Sequence, residues 1–142
     1  MKEFKRFDNT ITVKMGDAEF KGDPVILEAT NGFATKAVEE LNNKLNTGEA
    51  TPDVIENTIK DLVALAEKLF GEGSILKILG TNTISFHDMC DVFIYLKKAA
   101  YEFEQQKAVF YKSYDLNREQ RRAIANEHIN KQTSKYNKVQ KP

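Results

Sequence analysis

Between Thr10 and Phe20 the apolar residues recur every second position. Ile11, Val13 and Met15 alternate with Thr10, Thr12 and Lys14, the pattern of a half-buried strand. Gly16-Asp17 suits a two-residue type II′ turn, which wants glycine first. Pairing about that turn sets Met15 opposite Ala18, Lys14 opposite Glu19, and Val13 opposite Phe20. Opposite charges then meet on one face and a β-branched/aromatic pair on the other. Two strands alone are marginal in water, so this hairpin must lie on something else.

After Gly22-Asp23-Pro24 the spacing becomes helical. Val25-Ile26-Leu27 reads as a short extended link. Thr30 or Asn31 then caps a helix from about Phe33 to Leu45, with Ala34, Ala37, Val38, Leu41 and Leu45 on its inner face. Asn46-Thr47-Gly48 stops it. The next helix has Thr51 as N-cap, Pro52 in the first turn and Asp53 near the positive helix end. Its stripe is Ile55, Ile59, Leu62, Val63, Ala66, Leu69 and Phe70, and Gly71 stands where a left-handed residue ends a helix. Gly73 and Gly80 enclose a short helical turn or buried connector. Ser85 and Asp88 have the spacing of a capping box, with Asp replacing the usual Glu or Gln.

From there Met89, Phe93, Leu96, Ala100, Phe103, Lys107, Phe110 and Tyr114 recur at alternating steps of four and three. Such a helix, roughly 29 residues and about 43 Å long, outruns a body whose radius of gyration is near 14–15 Å by size scaling. Its far end is therefore expected to protrude, bend or pack on a neighbouring chain, with exposed aromatics favouring self-association. Asp115 or Asn117 is expected to restart a helix. The expected architecture is mainly α: an N-terminal β-hairpin followed by a small helical bundle. Residues 1–114 form hairpin and body, and residues 115–142 a basic, polar C-terminal helix or tail.

The chain has 142 residues, and its 21 basic and 21 acidic residues cancel. The cancellation hides a gradient. Residues 118–142 carry seven basic and two acidic side chains, a net +5, so residues 1–117 carry −5. That division suits contact with further copies or with an acidic partner, or it only keeps a solvated terminus soluble. No run approaches the ~20 apolar residues of a bilayer span, and the charged start has no signal-peptide pattern. A single cysteine fits a reducing compartment. A cytoplasmic protein is expected.

The sequence nominates no catalytic group. His87 and Cys90 lie one helical turn apart beside Asp88 and Asp91, but a structural zinc site takes four ligands and the only other histidine is His128. Cys90 sits beside an apolar stripe, which suits a small core residue better than an activated thiolate. Gly71-Glu72-Gly73 lacks the Gly-Lys-Ser/Thr ending of a phosphate loop. Carboxylates are scattered over helix surfaces without an evident acid–base pair. No metal or cofactor is expected, and no enzyme. Arg118, Arg121 and Arg122, just after Phe110, Tyr111 and Tyr114, form the one candidate partner-binding cluster. Glu119 interrupts it, and the chain's pI near 6.7 argues against nucleic acid as the partner.

The hairpin "TITVKMGDAEFKGD", the hundred mostly helical residues after it and the basic "LNREQRRAI" near the end together resemble the tail assembly chaperones of long-tailed, siphovirus-type phages and prophages of Gram-positive bacteria. The resemblance spans the chain in layout and two short segments in wording. It implies a non-enzymatic oligomeric protein that binds the tape measure and tail tube proteins, with the basic end as a contact region. The alternative is a helical regulatory or nucleic-acid-associated protein that uses the basic segment as its contact surface.

Overall fold

The structure, a computed structural model, describes the backbone of residues 4–137 and the side chains of residues 4–113. The element order is β1 (Ile11–Met15), β2 (Ala18–Gly22), α1 (Pro24–Thr47), α2 (Pro52–Phe70), α3 (Ser74–Leu79) and α4 (Phe86–Asn137). The protein is mainly α with an N-terminal antiparallel hairpin. Two compact units divide it, Met1–Glu104 and Gln105–Pro142.

β1 and β2 pair in the expected register, Val13 opposite Phe20 and Met15 opposite Ala18. Gly16 has φ +59° while Asp17 keeps a negative φ, the sign pattern of a type II′ turn. Ile11 and Val13 are buried, Met15 and Phe20 pack against the same core, and the alternate residues face solvent. Lys14 and Glu19 stand opposite each other without forming an ion pair. The only ion pair among the described residues is Glu56–Lys60, at 3.9 Å on α2. The hairpin is tied to the helical body by the Tyr95 hydroxyl, which donates to the Lys14 carbonyl at 2.6 Å.

α1 differs from expectation at its start. There is no extended link: the helix begins at Pro24, with Asp23 as N-cap accepting from the Val25 amide at 2.9 Å. Asp-Pro ends the hairpin and also opens the helix, because proline's missing amide costs nothing in a first turn. Thr30 and Asn31 are therefore not caps. They lie mid-helix and are buried, and the Thr30 hydroxyl donates back to the Ile26 carbonyl.

α2 matches its pattern closely. Thr51 caps it, accepting from the Val54 amide, and Leu62, Ala66 and Leu69 are buried. Gly71 follows it with φ +102°, ψ 158°, a positive-φ conformation outside the left-handed helical well that was expected. α3 then runs between the left-handed Gly73 and Gly80.

α4 opens on the expected box. The Ser85 amide donates to Asp88 Oδ2 at 2.9 Å and the Asp88 amide to Ser85 Oγ at 3.0 Å. The helix does not restart at Asp115 or Asn117 but is continuous to Asn137. Residues that favour caps permit a helix start without forcing one, and neither Gly nor Pro breaks this stretch. The seam of α4 is also less exposed than expected. Met89, Val92, Phe93, Leu96 and Phe103 are core residues of the first unit, and Phe7 meets Phe103 edge-on at 5.4 Å. The core is completed by Leu27, Leu41, Leu62 and Ile75, all 2% exposed or less.

Candidate interaction surface

Of the six partner-binding candidates, the structure describes the side chains of two. Phe110 is half-buried and stacks edge-on against Tyr111, with centroids 5.2 Å apart. Tyr111 remains 39% exposed. Tyr114, Arg118, Arg121 and Arg122 lie outside the described side chains, on backbone that is helical.

The histidine–cysteine pair is placed by the first turn of α4. His87 is exposed and Cys90 is half-buried rather than a core residue. Loss of solvent pushes the Cys90 thiol above its ordinary range, and the neighbouring Asp91 adds to this, against a smaller opposing effect of Lys97. Such a thiol is less nucleophilic than a free one at neutral pH. Asp88 moves the opposite way: the Ser85 amide, then its hydroxyl, holds the carboxyl below its usual value. That is the electrostatics of a helix cap. Among the described residues no three His, Cys, Asp or Glu side chains gather where they could hold a metal ion. Among the described residues no helix is long and apolar enough to cross a membrane.

What the sequence did not single out is a groove of about 640 Å³ on the outer flank of α2. Its apolar lining is Ile59 and Val63 of α2, Leu76 of α3 and Ile84 of the segment before α4. Ile59, Val63 and Ile84 rest on the core from below, while Leu76 is 42% exposed. Glu56, Glu67 and Glu72 stand around it with Lys60 as the one basic group. Glu67 also accepts from the Gly73 amide, which anchors the loop between α2 and α3. The volume lies within the ~300–1,000 Å³ common for ligand-sized clefts.

Residues 17–125 match the family described as Family of unknown function (DUF6673). The chain belongs to that family. The DUF6673 match begins in the hairpin turn and takes in β2, α1, α2, α3 and α4 as far as residue 125. All six candidates and the whole groove therefore fall inside it. No curated protein and no solved structure matches the chain.

Proposed function

We propose that this protein is a non-enzymatic assembly factor that self-associates and binds other proteins. Of known systems, it acts in the manner of the phage tail assembly chaperones, on tape measure and tail tube proteins in the bacterial host cytoplasm. The observation that carries the reading is the division of charge. Residues 1–104 hold 12 basic and 18 acidic side chains, a net −6, and residues 105–142 hold nine and three, a net +6. A chain carrying two opposite, equal charges in two compact units is suited to joining copies of itself or acidic and basic partners, since complementary charge speeds encounter and sets register. The layout of hairpin, helical body and basic end supports the phage-tail form of the reading through the resemblance in "TITVKMGDAEFKGD" and "LNREQRRAI".

The test is co-expression with the tape measure and tail tube proteins of any phage or prophage genome that carries this gene. The reading expects a complex that survives gel filtration and, for the protein alone, a mass above the monomer by light scattering at micromolar concentration. Failure to co-purify would remove the phage-tail role, and a monomeric mass across a hundredfold concentration range would remove self-association. The +6 charge of residues 105–142 also bears on the regulatory alternative. Salt-steep binding to DNA, without any tail protein, would favour it.

A further inference from the structure

We infer that the groove between α2, α3 and Ile84 receives the C-terminal helical segment, residues 118–137, of a second copy of this chain. The inference rests on the self-association proposed above and not on the phage-tail role. Three observations fit one occupant to this groove.

The first is chemical. The lining is apolar, through Ile59, Val63, Leu76 and Ile84, while the titratable groups around it are three carboxylates and a single lysine. Its complement is a helix carrying both arginines and small apolar residues. The second is that the chain contains such a segment. Arg118, Arg121 and Arg122 are followed by Ala125 and Ile129 at helical spacing, and the backbone there is helical. A helix laid in a groove is a recurrent recognition mode, and here the positions i, i+3, i+4, i+7 and i+11 from Arg118 hold three arginines, Ala125 and Ile129, so one side of the helix combines basic and small apolar groups. The third is balance. The unit that holds the groove is −6 and the unit that holds the segment is +6, so each copy offers one surface and needs the other. A contact between two different patches is heterologous, and repeating it builds rings or open helical filaments rather than a closed dimer.

The experiment uses full-length protein with Cys90→Ser as background. One preparation carries Leu76→Cys in the groove and another, distinguished by a tag, carries Ala125→Cys in the segment. Mixed under mild oxidation, they are expected to give a disulfide-linked heterodimer. The same mixture with Lys36→Cys on the exposed side of α1 is expected to give none. Charge reversal provides the second arm. Glu72→Lys should weaken self-association about two- to fivefold, the range of an exposed charge pair, and mixing it with Arg121→Glu should restore the loss. Higher salt should weaken the wild type as well. Leu76 and Glu72 are exposed, so circular dichroism should show both variants folded.

Oligomers that form without the Leu76–Ala125 cross-link and ignore Glu72→Lys would overturn the groove assignment while leaving self-association standing. A cross-link formed only inside a single chain carrying both cysteines would replace the second copy by the chain's own segment, and would overturn the inference. A monomeric wild type would overturn both it and the reading it rests on.

Discussion

Two helices of the body, α1 and α2, open with the same device, Asp23-Pro24 and Thr51-Pro52, a side-chain oxygen capping the first turn and a proline inside it. They then part company. α2 places Leu62, Ala66 and Leu69 on its buried face, while α1 buries Thr30 and Asn31 alongside Leu27, Ala34 and Leu41. Its first turn leaves Val25 64% and Ile26 52% exposed, and Phe33 is 64% exposed two turns further on. In α2 the pattern and the environment agree. In α1 the packing of neighbours overrides the pattern, and the buried side is recognisable only once the partners of the helix are known.

The largest effect expected on this comparison is at one fully buried leucine in each helix. Leu62 and Leu27 are both 0% exposed. Leu62→Ala and Leu27→Ala should each cost about 2–5 kcal/mol through lost burial and the cavity left behind. Periodicity alone ranks Leu62 far above Leu27, so equal shifts in the denaturant midpoint would establish that Leu27 is packed as fully as Leu62. An unshifted midpoint for Leu27→Ala would show that the first turn of α1 is not packed.

This contrast also explains what the sequence made legible. The hairpin register, α2 with its cap, the short α3 and the Ser85–Asp88 box are all determined by residues adjacent in the chain, and each was readable. The first turn of α1 was not, because Asp23-Pro24 has two valid meanings and Val25-Ile26-Leu27 fits a strand as well as a helix. The join at Asp115 was not, since a residue suited to a cap is also tolerated inside a helix. The groove was hidden for a different reason. Its lining comes from α2, α3 and the segment at Ile84, up to 28 positions apart (Glu56 to Ile84), so no local spacing could assemble it.

Asn31 offers the next largest effect and an opposite sign. It is 7% exposed, and its amide oxygen has no hydrogen-bond partner among the described residues. A buried polar atom left without a bond costs about 1–3 kcal/mol. Asn31→Leu, similar in shape and wholly apolar, should hold or raise the melting temperature, which almost no other polar-to-apolar change in a folded helix is asked to do. A fall would mean that the amide oxygen is satisfied by an ordered water, as buried polar groups often are.

The helix starts come next. Asp23→Ala and Thr51→Ala should each cost about 1 kcal/mol, because each removes the oxygen that accepts a first-turn amide. Equal losses would confirm that α1 and α2 differ in what they bury and not in how they begin. The cap of α4 adds a pH signature that the Thr51 cap cannot have. The Asp88 carboxyl is held low by the Ser85 amide and hydroxyl. A group with a depressed native pKa stabilises the fold above its unfolded value and loses that contribution as pH falls through the native one. An NMR titration should therefore place the Asp88 midpoint below that of an unfolded aspartate, with exchange of the Ser85 amide speeding up as the carboxyl is protonated. An unshifted midpoint would show that the box does not form; indifference to Ser85→Ala would remove only the hydroxyl's share, because the Ser85 amide persists in that variant.

The smallest expected effect is on the outward side of α1. Val25 and Phe33 are each 64% exposed, so neither loses much contact on truncation. Substitutions at such positions usually fall within about 0.5 kcal/mol of zero. Val25→Ser and Phe33→Ser should therefore leave the denaturant midpoint almost unchanged, although a pattern-based reading would count both as apolar residues in need of a core. Ile59→Ser and Val63→Ser supply the counterpart on α2. Both are half-buried on the core while lining the groove, so they should cost clearly more. If Phe33→Ser destabilised the chain as much as Val63→Ser, the outer face of α1 would have to be covered by protein in solution. Light scattering on the same variant would identify the cover, because a drop in mass would place α1 in the contact between copies instead of α2.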